Sequence, residues 1–150
     1  MNTVKTINQP IALISTYIWI GFVCAISFME AWLKFRAPGI TLPLGLGIGR
    51  IVFDALNKME WIFSIIIILN LFFSNEKKIT WNNVYFSIAF FILLIQTFWL
   101  LPALDARAEL HIQNKIVLPS NIHFYYIILE MIKVISLSIF GILFIKKTKI

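Results

Sequence analysis

Glu30, Glu60, Glu130 and Lys133 all lie inside long runs of Ile, Leu, Phe and Val. An ionised side chain at a helix centre costs roughly 2.5–3.5 kcal/mol on insertion scales, so such residues face a bundle interior or a wet cavity. Three kinds of chemistry suit them: a site for an ion or small molecule, a carboxylate acting as general base, or internal ion pairs that only orient helices.

Spacing narrows the choices. In "SFMEAWLKFR", Ser27, Glu30 and Lys34 stand three and four residues apart, on one helical face. Lys34 can reach the interface by extending its stem, whereas Glu30 is too short to do so easily. Arg50, Asp54 and Lys58 form an i, i+4, i+8 ladder in which Asp54 can pair with both cations. Glu60 is turned about 200° from Lys58 and shares its face with Phe53, Asn57 and Ser64. Gln96 and Thr97 are polar groups within a third apolar run. After Pro102, "ALDARAELHIQN" puts Asp105 and Glu109 on one face and Arg107 and His111 on another. Proline suits a first helical turn, so a short or kinked helix is expected to start there. In "PSNIHFYYIILEMIK", Ser120 is a candidate N-cap, His123 aligns with Glu130, and Lys133 lies one turn further. Glu130 and Lys133 are then roughly 13 and 18 Å from the helix start, deep enough that Lys133 needs a carboxylate partner.

The residues expected to form a binding group are therefore Glu30, Glu60 and Glu130 as a polar core, with Lys133 as counter-ion to Glu130. Asp54 and Asp105 form the rim, and His123 stands nearby. His123 also suits a plain interfacial position beside its aromatic neighbours, and Gly21 with Ala25 makes a small-xxx-small packing pair.

The elements that position these residues follow from composition. Of the 150 residues, 60% are hydrophobic and 13% charged, against about one quarter charged in a soluble domain. Mean hydropathy is +0.89. Four stretches, near 11–33, 51–74, 81–101 and 122–145, meet the need for about 20 apolar residues per span. The expected fold is all-α, a single four-helix transmembrane bundle. Four spans place both termini on one side, with Lys5, Lys77, Lys78, Lys146, Lys147 and Lys149 against Glu76 alone. By the positive-inside rule that side is cytoplasmic, which makes Asn75–Thr80 a short cytoplasmic turn. The other side holds a mixture of acids and cations.

"KFRAPGITLPLGLGIGR", residues 34–50, contains two prolines and four glycines yet is oily. It is expected to be a non-helical apolar loop between the first and second helices, folded back as a lid over the charges, with Gly45, Gly47 and Gly49 allowing close approach. Its G-x-G-x-G spacing is not a dinucleotide fingerprint.

Several chemistries are set aside. One cysteine, Cys24, allows no internal disulfide and no CxxC site. Two histidines are too few for a membrane di-iron centre, and Glu-x-x-His pairs are missing. Bis-histidine haem on His111 and His123 is weak because one of them falls in a loop. No cofactor or metal is expected. The net charge of +6 resides at membrane edges, which favours a bilayer over nucleic acid.

The segments "FMEAWLKFRAPG", "GRIVFDALNKMEW", "LLPALDARAELH" and "HFYYIILEMIK" are similar to a small bacterial four-helix integral membrane family of unknown function, loosely like transmembrane protein 205. The resemblance covers most of the chain and implies an inner-membrane protein, with no activity or site to transfer. The expected role is a multi-pass inner-membrane protein whose acidic site opens to the outer face and binds or transports a small molecule or ion. A structural or accessory subunit, and an intramembrane enzyme with a carboxylate base, are the alternatives. A homo-oligomer or a larger membrane complex fits any of them.

Overall fold

The computed structural model describes residues 10–73 and 81–147, all helix, turn or irregular chain without a strand among them. Lys5, Lys149 and the 75–80 turn lie outside the described residues, as does the structure of the 74–80 connection.

Four long helices make up the fold. Helix α1 spans Pro10–Arg36, with a π-helical stretch at Cys24–Glu30 and a closing 3-10 turn at Lys34–Arg36. Helix α2 is Leu42–Phe73. Helix α3 runs through Trp81–Ile95, a π-helical stretch at Gln96–Leu100, and Leu101–Ile112. Helix α4 is Ile122–Lys147. Three helical stretches, Pro10–Arg36, Asn83–Ile112 and Ile122–Lys146, are long and apolar enough to cross a membrane. Helix α2 is long enough but is not among them; its first half carries Arg50, Asp54 and Lys58.

The stretch 34–50 is not a loop with a lid. Ala37 is extended ahead of Pro38, Gly39 takes φ +80, and the Ile40 N–H donates to the Ala37 carbonyl at 3.2 Å. That is a Pro-Gly type II turn. Thr41 then caps a helix, its hydroxyl accepting the Leu44 N–H at 3.4 Å. Pro43 falls in the first turn, where its missing N–H has no helical partner to lose. Gly45, Gly47 and Gly49 are thus helical residues of α2. A Cβ on Gly45 would strike the Phe35 ring, and one on Gly49 would come within 3.1 Å of the Lys34 ammonium. These two glycines let the end of α1 lie against α2. Gly47 has no such neighbour, with Ile112 Cδ1 at 4.0 Å.

The helices form a closed ring. Helix α1 packs on α2 and α4, the first half of α3 packs on α4, and its second half packs mainly on α2. The exchange of neighbours follows the 96–100 π stretch and Pro102. Proline cannot donate to the preceding turn, and a π stretch absorbs the misfit. Helix α3 ends on Asn114 at φ 54, with Lys115 N–H donating to the Leu110 carbonyl at 2.9 Å, a left-handed cap that asparagine tolerates. The core contains Trp19, Val23, Leu56, Ile67, Leu93, Leu137 and Phe140. Gly21 and Ala25 are exposed rather than packed.

Because Gly47 is in a helix without a close neighbour, Gly47→Ala should raise stability in detergent by about 0.5–1 kcal/mol. Gly45→Ala should give no such gain, since Phe35 must move. Equal gains in thermal unfolding would mean that Phe35 does not pack there.

Candidate functional site

The inward face of α4 repeats Tyr126, Glu130, Lys133, Leu137 and Phe140, all buried. Lys133 is 0% exposed, Glu130 0% and Glu60 1%. The Lys133 ammonium makes an ion pair with Glu60 of α2 and lies 3.2 Å from Glu130 Oε2. It also donates to Gln96 Oε1 of α3 at 2.5 Å. From α1, the Trp19 indole N–H donates to Glu60 Oε1 at 2.8 Å. All four helices therefore meet at one ammonium and its partners. Asn57, Glu60 and Ser64 line the inward face of α2, and the π stretch of α3 starts at Gln96 itself.

Two of the three core glutamates thus converge. Glu30 does not: it pairs with Lys34 at 3.2 Å, one turn along its own helix. Lys34 is held over the Phe35 and Phe53 rings, 5.6 and 5.5 Å from their centroids. The Arg50–Asp54–Lys58 ladder is also split. Asp54 pairs with Lys58 at 2.6 Å. Arg50 turns to α3, where it forks onto both oxygens of Asp105 and also binds Glu109. A planar guanidinium satisfies two carboxylates across a helix pair better than one along its own helix.

Above the buried cluster is a cavity of 730 Å³. It lies where the second half of α3 turns to α2 and away from α4. Its walls include Lys34, Arg50, Asp54, Asp105, Arg107, His111 and His123, with Gly45 and Gly49 on the α2 side. Apolar surface comes from Phe35, Leu46, Phe53, Leu101 and Leu104. The cavity is thus mixed in charge, and Glu60, Glu130 and Lys133 are not in its wall. The single acidic pocket expected from the sequence is instead two layers. Tyr126 is common to both: it lines the cavity, is 2% exposed, and its phenol lies beside Glu130, Glu60 and Ser27. In the cavity wall itself, Asn57 Nδ2 donates to Thr97 Oγ1 at 2.9 Å, as does Trp61 Nε1 at 3.1 Å.

Trp19 and Tyr126 are the residues of the cluster that aromatic abundance concealed. A signal existed for Trp19. Ala12, Thr16, Trp19, Val23 and Ser27 repeat every three or four residues and are all buried, and the hydroxyls among them mark an inward face. No group of three His, Cys, Asp or Glu suited to a metal occurs among the described residues. No known protein family, no curated protein and no solved structure matches this chain.

Lys133→Met removes the one cation that Glu60 and Glu130 share, and breaking a buried pair costs about 3–5 kcal/mol. Adding Glu60→Gln should recover more of that loss than adding Glu130→Gln, because Glu60 makes the closer ion pair with Lys133. Unfolding of the single and double variants tests this, and strictly additive losses would show that the groups are uncoupled.

Proposed function

We propose that the chain is a four-span protein of a bacterial inner membrane, both ends cytoplasmic, that binds or moves a small molecule or ion through the outward-facing cavity and the buried cluster behind it. The resemblance to the small bacterial four-helix family belongs to the same reading. Tyr126 is the observation that carries it, since one side chain joins an open, partly apolar cavity to a sealed group of charges.

Helix lengths fit this arrangement. Helix α2 has 32 residues, about 48 Å, against a hydrocarbon core of about 30 Å. The surplus at its Leu42 end, next to the second half of α3, would stand at the outer interface and hold the cavity. Lys133, fourteen residues before Lys147, would then be roughly 21 Å from the cytoplasmic end of α4.

Pairing of the acids supports a packing role for the rim. Each carboxylate among the described residues has a cation within 4 Å: Glu30 with Lys34, Asp54 with Lys58, Asp105 and Glu109 with Arg50, and Glu60 and Glu130 with Lys133. Arg50 fixes α2 to α3 without any ligand, so an accessory-subunit role is the second reading. A carboxylate general base is less favoured, because such a base works best without a resident cation.

Leu104→Trp should fill part of the cavity and abolish binding of an apolar fluorescent probe to the purified protein. Ile65→Trp, on an exposed face, should leave binding intact. Equal binding by both variants would reject the cavity as the site and favour the accessory role. A reporter active only in the cytoplasm, fused after Ile150, should be active; silence there, with a periplasmic reporter active instead, would invert the orientation.

A further inference from the structure

Lys133, Glu60 and Glu130 are all but fully buried. Counted as ionised, one ammonium and two carboxylates sum to −1. An uncompensated charge in an enclosed site is costly enough that the group with the weaker hold on its charge gives it up. The other groups facing the cluster are Trp19 and Ser27 from α1, Gln96 from α3 and Tyr126 from α4, all neutral.

The two carboxylates are not equivalent. Glu60 receives the indole N–H of Trp19 and the close ion pair with Lys133. Glu130 has the longer, 3.2 Å ion pair and the Tyr126 phenol beside it, and lacks a donor to match the Trp19 indole. Of two carboxylates that share one ammonium, the one held by the weaker contacts is the one that takes up a proton.

From this geometry we infer that Glu60, Glu130 and Lys133 form a site for one exchangeable proton, which resides on Glu130 and leaves through Tyr126 to the cavity. Glu130 gives its proton to the Tyr126 hydroxyl oxygen as that hydroxyl releases its own proton to water in the cavity. The tyrosine is unchanged, the cluster goes from 0 to −1, and the reverse step reloads it. The inference rests on the proposed function only in taking the cavity as the open side, and it identifies the ion handled there as H⁺. A cation entering the cavity would favour proton release, and an anion would favour uptake.

Infrared spectroscopy of the protein in lipid nanodiscs at neutral pH tests this through the carbonyl stretch of a protonated carboxyl. The unaltered protein should show the band, and it should disappear as pH is raised. Glu130→Gln and Glu60→Gln should each lose it, because one carboxylate then remains opposite Lys133. Glu30→Gln should keep it. Lys133→Met should enlarge it about twofold, two acids now lacking a cation; if that variant does not fold, the glutamine pair still decides. Absence of the band in the unaltered protein, or its survival in both glutamine variants, overturns the proton site. Tyr126→Phe should retain the band and lose the fast phase of its decay after a pH jump; an unchanged decay overturns the exit route. Probe binding in Leu104→Trp is read separately, so the cavity and the proton site can fail independently.

Discussion

One ammonium group holds this bundle together. Lys133 is fully buried, and its partners come from different helices: Glu60 of α2, Gln96 of α3 and Glu130 of its own α4. Trp19 of α1 joins through Glu60. In lipid, apolar faces alone do little to choose among helix arrangements, since tails are as apolar as side chains. A charge that must be satisfied does choose. It sets the rotation of each helix about its axis, and the apolar core around Trp19, Leu56, Leu93 and Leu137 is packed to that setting.

Departures from regular helix geometry occur near the cluster. The Cys24–Glu30 π stretch contains Ser27, and the Gln96–Leu100 stretch begins with Gln96. A π turn widens the helix by one residue and re-aims the side chains that follow. In α3 it also precedes the change of neighbour from α4 to α2, which opens the cavity. The polar contact at Gln96 and the space above it thus share an origin in one backbone irregularity, reinforced by Pro102.

Much of this was legible in the sequence, and the limits are specific. The need of Lys133 for a carboxylate followed from depth alone. The break at Pro102 followed from the fixed φ of proline, whereas the tight turn at Pro38–Gly39 was lost in the reading of 34–50 as one long loop. Glu60 as a partner of Lys133 did not follow, because spacing rules see pairs along one helix and this pair spans two. For the same reason Arg50 was assigned to Asp54 rather than to Asp105 and Glu109. The helical start of α2 was hidden by Pro43 and three glycines, which read as breakers until the Thr41 cap is recognised. Apolar residues surround most of these helices on every side, so periodicity marks the inward face poorly, and the few polar residues mark it better.

The position of Lys133 in the last helix of the bundle has a consequence for how the protein is made. A chain delivered to the membrane from its N-terminus presents α1, α2 and α3 first, and with them Trp19, Glu60 and Gln96. These three leave a carboxylate without its cation until α4 arrives bearing Lys133 and Glu130. The half-made protein therefore carries an acid whose cation has yet to be made, and the bundle cannot close on its final packing until the last helix supplies it.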